Sequence, residues 1–279
     1  MELLFDKYRP KKLDDIRYHK EIANILKTLD INNLPHILMY GPSGSGKKTL
    51  LYSFLGYTKK TRVIQKIKTS SSKEVPFTIY RNGTFIELDI KEMGMYCKFI
   101  IRDILKNMAE TKQVSNNLQK IIVLHHCELL NIESQFILNK ILETHSVNCK
   151  FILISNTINN IMTSLQSNCI CLRIQSPSQE EIKNHILEII DKNNIHLSSI
   201  QLDRLLHDNY RNLKTSILQL EIYDLIKSQK ASINKKKIQE IVKLILKKRT
   251  TLTTISLSLI HISEPTRPER IGFAGGGVK

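Results

Sequence analysis

Tryptophan is absent, aromatic residues make up 6% of the 279 positions, and the five cysteines include no CxxC pair. With neither that pair nor a His/Cys ladder, no structural zinc or disulfide framework is expected, and Cys97, Cys127, Cys149, Cys169 and Cys171 read as reduced, mostly buried thiols. No run approaches the ~18 uninterrupted apolar residues that a membrane helix requires, so no membrane span is expected. The N-terminus, MELLFDKYRPKK, interleaves acidic and basic residues where a secretory signal needs a continuous apolar core, and an intracellular protein is expected. Acidic residues are also scarce: 26 Asp and Glu face 42 Lys and Arg, a formal charge of +16. That excess suits a polyanionic partner such as nucleic acid, because each cation placed at a phosphate releases counterions. An AT-rich genome also enriches Lys, Asn and Ile, so charge alone does not decide the partner.

What is present is ordinary for globular domains: hydrophobic residues are 41% and charged residues 24%, and the length suffices for one large or two medium cores. Up to about residue 174, short apolar runs alternate with helical patterns: HILMY, IIVLHH and FILIS read as buried strands of a parallel sheet with crossover helices, an α/β class. From about Ser176 the pattern is helical only. PSQEEIKNHILEIIDKNN opens with a Ser/Glu start signal, and SSIQLDRLLHDN and LKTSILQLEIYDLIK follow. The expected organisation is an α/β nucleotide-binding domain over 1–174, a helical lid over 175–230 and a further helical element from 231 to 256. Leu257 to Arg267, LSLIHISEPTR, looks like one reading frame of a sequencing-library transposase adapter. Residues 257–279 are therefore set aside as a scar expected to be disordered, and the natural protein is expected to be longer.

The strongest chemical signal is GPSGSGKKT at Gly41 to Thr49, directly after HILMY. Gly41, Gly44 and Gly46 let the backbone turn with its N–H groups inward around Ser45, a helix N-terminus faces the phosphates, and Lys47 reaches the outer phosphate oxygens. A Ser or Thr that binds Mg²⁺ normally follows the lysine. Here Lys48 takes that place and Thr49 arrives one residue later, about 100° further round the helix, so Thr49 is expected to point elsewhere. The strand that should end in magnesium-binding carboxylates ends in His125 and His126, poor ligands for a hard cation. Hydrolysis is not expected from such a site, and neighbouring side chains on a strand diverge, so no His125/His126/Cys127 metal site is expected.

With these pieces in place, the chain resembles the small subunits of replication factor C, the AAA+ clamp loader, closest to the eukaryotic subunit 3 type. The likeness is carried by DKYRP at Asp6 to Pro10, YHKEIANILKTL, LPHILMYGPSGSGKKT, IIVLHHCELL, SQFILNKILE, FILISN and SNCICLRIQSPSQEEI, in that order, and runs to about residue 245. The resemblance implies an AAA+ P-loop domain, a small helical lid and a collar truncated after its first helix. It further implies ATP or ADP as ligand, with Tyr8, Arg9 and Pro10 bordering adenine and ribose, Asn156 reading the γ-phosphate and Lys214 at the basic position of the lid. The implied partners are the other subunits of a heteropentamer, a sliding clamp, and primer–template DNA held by its backbone, within the nucleus in DNA replication and repair. Lys98 and Arg102 lie on a candidate DNA-facing helix. Where the family carries Ser-Arg-Cys, this chain has Ser167, Asn168 and Cys169, and an amide cannot replace the guanidinium that stabilises a neighbouring subunit's nucleotide. Two other readings are a hydrolysing AAA+ ATPase outside replication and a P-loop phosphotransferase.

Overall fold

A computed structural model describes residues 3–56, 60–68, 74–82, 85–107, 120–193, 195, 197–209 and 211–229. The chain divides into two compact units, Met1–Ser232 and Ile233–Lys279. Every described residue belongs to the first, so the expected collar helix and the adapter-like tail lie outside the described residues.

Among the described residues, seven strands form one sheet in the order β2-β3-β4-β5-β6-β1-β7. The runs read as strands from the sequence become β1 (Ile37–Tyr40), β5 (Lys120–His125) and β6 (Cys149–Ser155), joined by β4 (Phe85–Asp89) and β7 (Ile170–Arg173). From β4 to β7 every pairing is parallel. The sheet as a whole is mixed, because β2 (Thr61–Lys68) and β3 (Glu74–Asn82) add an antiparallel pair at the β4 edge. Their sequences explain the difference from the all-parallel expectation. In TRVIQKIK burial alternates: Val63 and Gln65 are half-buried and Ile67 buried on one face, while Arg62, Ile64 and Lys66 are exposed on the other, the pattern of a strand with one wet face.

Period-two alternation sorts the central strands between two cores. Leu38, Ile122, Leu124, Phe151 and Leu153 face Leu138, Ile141 and Leu142 of α4 (Ile132–Thr144). Ile37, Met39, Ile121, Val123, Ile152 and Ile154 face Leu26 of α2 (Lys20–Thr28) and Leu50, Leu51 and Phe54 of α3 (Lys47–Leu55). Helix α4 starts where the Asn131 side chain accepts from the Ser134 N–H at 2.8 Å, satisfying one of the unpaired donors of a helix start.

A third core joins α5 (Gln179–Asn193), α6 (Ser199–Asp208) and α7 (Leu213–Gln229) through Ile182, Ile186, Ile189, Leu205, Ile217 and Leu220. The Ser/Glu signal at the start of α5 is a reciprocal cap: Glu181 N–H donates to Ser178 Oγ at 3.1 Å, and Ser178 N–H to Glu181 Oε2 at 2.7 Å. Leu4, Phe5 and Tyr8, around the short helix α1 (Leu4–Lys7), pack against this helical core together with Tyr18. The N-terminal segment thus reaches the helical core, and the cleft forms along it.

Candidate functional site: a phosphate-loop cleft

A cleft of about 270 Å³ opens beside the C-terminal ends of the parallel strands, where α/β sheets bind ligands. Backbone geometry builds its floor. Gly44 and Gly46 have φ of 80° and 94°, values that glycine adopts without strain. A Cβ on Gly41 would lie 1.9 Å from the carbonyl oxygen of Ile174, the residue just after β7, which leaves that position no room for a side chain. Ser45 is fully buried and its carbonyl accepts from His19 Nε2 at 3.0 Å, which ties the loop to the start of α2. Burial lowers the His19 pKa, so the ring is neutral with the proton on Nε2.

Lys47 begins α3, and its ammonium donates to the carbonyls of Gly41 at 2.6 Å and Pro42 at 2.8 Å and to Asn156 Oδ1 at 3.2 Å. Burial drives its pKa down to about 8 against the opposing pull of Glu128. Asn156, at the end of β6, is itself held: its Nδ2 donates to Glu128 Oε1 at 2.6 Å and its backbone N–H to Glu128 Oε2 at 3.1 Å. Burial alone would raise the Glu128 pKa. Hydrogen bonds from His126 and from backbone and Asn156 donors overcome that and hold it at about 2. Glu128 was not assigned a site role from sequence. Its signal is an acidic residue just beyond the strand whose end carries histidine.

The two histidines occupy different settings. His125 is buried, and its Nε2 meets Glu87 Oε2 at 3.1 Å. That oxygen also accepts from Lys60 Nζ at 2.7 Å and Tyr52 OH at 3.1 Å. Burial, with Lys48 nearby, brings the His125 pKa to about 4, so the ring is neutral and donates through Nε2. His126 takes a left-handed backbone, φ 62°, and its ring lies between Glu128 Oε1 at 3.3 Å and Asp89 Oδ2 at 3.9 Å. A non-glycine residue in that conformation costs of order 1–3 kcal/mol, which the surrounding contacts must offset.

Tyr8, Arg9, Pro10, Gly44, Gly46, Lys47, Lys48, Thr49, Asn156 and Lys214 all border the cleft, as do His125 and His126. Thr49, two residues after Lys47 in the first turn of α3, is among the residues that border the cleft. Lys48 remains solvent-exposed, and protein crowding lowers its pKa against the pull of Asp89 and Glu87. Arg9 pairs with Asp6 at 3.3 Å and lies over the Phe5 and Tyr52 rings, while the Tyr8 hydroxyl donates to Asn193 Oδ1 at 3.1 Å. Lys214 Nζ sits 5.1 Å from the Phe5 ring. Gly41 and Ser45 shape the loop without bordering the cleft.

Asn168 lies elsewhere: its Nδ2 donates to Asn139 Oδ1 and Glu143 Oε1, both at 2.9 Å, on α4. Lys98 pairs with Glu133 at 2.5 Å and Arg102 with Asp103 at 2.7 Å, so both candidate DNA-facing cations already have carboxylate partners. Sequence reasoning gave no role to Phe5, Tyr18, His185, Leu213 or Ile217, which also border the cleft. Tyr18 and His19 stand inside YHKEI, the one segment whose pattern pointed to them.

A nucleotide fits this arrangement. The loop glycines, the start of α3 and the Lys47 ammonium face one end of the cleft, the combination that cradles phosphate. Mg²⁺ fits poorly, because the strand end offers imidazole at His125 and His126, and among the described residues no group of three or more His, Cys, Asp or Glu side chains is placed to hold a metal.

Fold and site together define a P-loop nucleotide-binding protein of the AAA+ class. A Rad17 P-loop domain family model matches residues 1–173. Among curated proteins, replication factor C subunit 3 of Arabidopsis thaliana is 32% identical over 232 residues, covering 78% of this chain and 66% of the relative. Subunit 5 of Saccharomyces cerevisiae is 30% identical over 239 residues, covering 79% and 67%. The chain belongs to the replication factor C small-subunit family, and it spans about two thirds of the length of the curated relatives it matches. Among solved structures, the Thermotoga maritima RuvB Holliday junction branch migration motor superposes with a TM-score of 0.55 at 15% identity, over 85% of this chain and 72% of that one, a likeness of fold.

Proposed function

We propose that this protein is a clamp-loader subunit that holds ATP or ADP as a structural joint and hydrolyses it little or not at all. In this reading it works in the nucleus within a heteropentamer of replication factor C subunits. The pentamer opens a sliding clamp and places it on primer–template DNA, gripping the backbone rather than reading bases, in replication and repair. The relatives' names and the family match support the assignment to replication factor C. One observation carries the reading of the site: the side chains at the end of β5 are committed to protein partners, with His125 bound to Glu87 and His126 beside Glu128. Phosphate-binding parts persist in Lys47 and the glycine loop, while the end of β5 itself carries imidazoles at the positions where a water-activating carboxylate is needed.

Binding and turnover of labelled ATP, measured separately on the chain alone and with its partner subunits and primed DNA, test the proposal. Micromolar or tighter binding, abolished by Lys47→Ala, with no turnover assignable to this subunit, is the expected result. Turnover stimulated by primed DNA and lost on His126→Ala would make this a hydrolysing motor and sink the joint. Transfer of phosphate to a small acceptor would point to a phosphotransferase instead.

A further inference from the structure

The connection from β7 to α5 is fixed at both ends. On the sheet side Ile174 N–H donates to the Tyr40 carbonyl at 2.7 Å, and on the helical side the Ser178 cap begins α5. Arg211, two residues before α7, reaches back to this connection. Its Nε donates to the Pro177 carbonyl at 2.9 Å and its Nη2 to the Ser176 carbonyl at 3.0 Å, a fork closed on consecutive carbonyls 34 and 35 positions away. A guanidinium presents its donors in fixed geometry, and bonds from a charged donor are stronger than those between neutral groups.

Arg211 makes this contact from a left-handed backbone, φ 61°. Glycine adopts that conformation freely, whereas any side chain there is strained, so local conformation alone disfavours arginine. The fork offsets that strain, and the next residues carry its effect to the phosphate loop. Asn212 caps α7, its Oδ1 accepting from Thr215 N–H at 3.2 Å. The same oxygen lies against Gly44, where an added Cβ would meet it at 1.9 Å. Leu213, Lys214 and Ile217 of α7 then border the cleft, while Arg211 stands outside that border. Arg17 with Glu188 and Tyr8 with Asn193 tie the N-terminal segment to α5; the fork acts on the start of α7 instead.

We propose that Arg211 is a positioning residue for nucleotide binding: by pinning the start of α7 to the Ser176–Pro177 connection, it keeps the Asn212 cap on the phosphate loop and the α7 side chains at the cleft. This rests on reading the cleft as a nucleotide site. When the fork is lost, arrangements with α7 away from the loop gain population, and apparent affinity falls by the factor by which the closed arrangement is depopulated.

Equilibrium ATP binding, and thermal melting without nucleotide, are measured on the full chain as wild type and as Arg211→Gly, Arg211→Ala, Arg211→Lys and Lys47→Ala. Arg211→Gly and Arg211→Ala both lose the fork, but glycine also relieves the backbone, so Arg211→Gly should melt about 2–5 °C above Arg211→Ala. Both should nevertheless bind ATP about 3- to 30-fold more weakly than the wild type, and equally to one another. Arg211→Lys keeps the backbone strain of Arg211→Ala and restores one charged donor, so it should regain part of the affinity. Wild-type affinity in Arg211→Gly would show that the residue acts through its backbone alone and would overturn the proposal, as would Arg211→Lys binding no better than Arg211→Ala. If Arg211→Ala fails to fold, the deciding comparison is Arg211→Lys against Arg211→Gly, with tighter binding expected for the lysine variant and equal or weaker binding sinking the proposal. No ATP binding by the wild type, or binding undiminished in Lys47→Ala, would overturn the nucleotide reading itself and the positioning role with it.

Discussion

Acid should destabilise this protein between pH 7 and pH 5 through the buried His125, and replacing that residue should remove much of the effect. The folded-state pKa is about 4, against an ordinary value of 6.5, with burial as the main cause. Between those values the unfolded chain binds a proton that the folded chain refuses, so stability falls as the pH falls and is fully recovered above the unfolded value. At 1.36 kcal/mol per unit of difference, the loss on going from pH 7 to pH 5 is about 2 kcal/mol for this one residue. His36, with a pKa also pushed down to about 4 by burial and by Lys150, contributes a similar and separate loss. In His125→Leu the buried position can no longer take up a proton, so the loss between pH 7 and pH 5 should shrink by about 2 kcal/mol. Absolute stability at pH 7 will also change, because Glu87 keeps Lys60 and Tyr52 but loses the imidazole. The readout is therefore the slope. Urea unfolding followed by far-ultraviolet circular dichroism suits a chain without tryptophan. Parallel pH dependences in wild type and variant would refute the claim that His125 is held neutral by burial.

Nucleotide affinity should weaken as the pH rises through 8, because Lys47, with its pKa lowered to about 8, must be protonated to hold phosphate. Titration calorimetry should show roughly tenfold weaker ATP binding at pH 9 than at pH 7, and a flat profile would contradict the assignment. Gly44→Ala should destabilise the loop by about 1–3 kcal/mol, since φ is 80° and the new Cβ would lie 1.9 Å from Asn212 Oδ1. Adding Asn212→Ala should recover the steric part of that loss in a thermal melt but leave the backbone part. Glu128→Gln should loosen Asn156, which donates two hydrogen bonds to the carboxylate, and reduce the preference for ATP over ADP about 3- to 10-fold in competition binding. An unchanged preference would show that Asn156 does not read the outer phosphate.

The central strands were legible because IIVL and FILI are apolar without interruption, as strands covered on both faces must be. The phosphate loop was legible because its glycines and lysine act through local backbone geometry, and the Ser/Glu start of α5 because a cap spans four residues. The β2–β3 pair was missed. Its alternation is short and broken by lysines, and strand pairing is a long-range choice that no local pattern fixes. Glu128 and His185 went unassigned for a related reason: neither belongs to a spaced motif, and each matters through what the fold brings beside it.

By itself, then, the sequence determined the P-loop, the strand-and-helix alternation and the family, all of which rest on local geometry or on ordered motifs. The tertiary structure alone decided that His125 is locked to Glu87 from the neighbouring strand, 38 positions away, that Glu128 holds Asn156 from 28 positions away, and that the rings of Tyr18 and His185 meet edge-on at the border of the cleft. The physical reason is burial. Whether an imidazole is charged, or a carboxylate accepts a given donor, depends on how much water the packed fold removes and which partner it supplies, and both are properties of contacts distant in sequence.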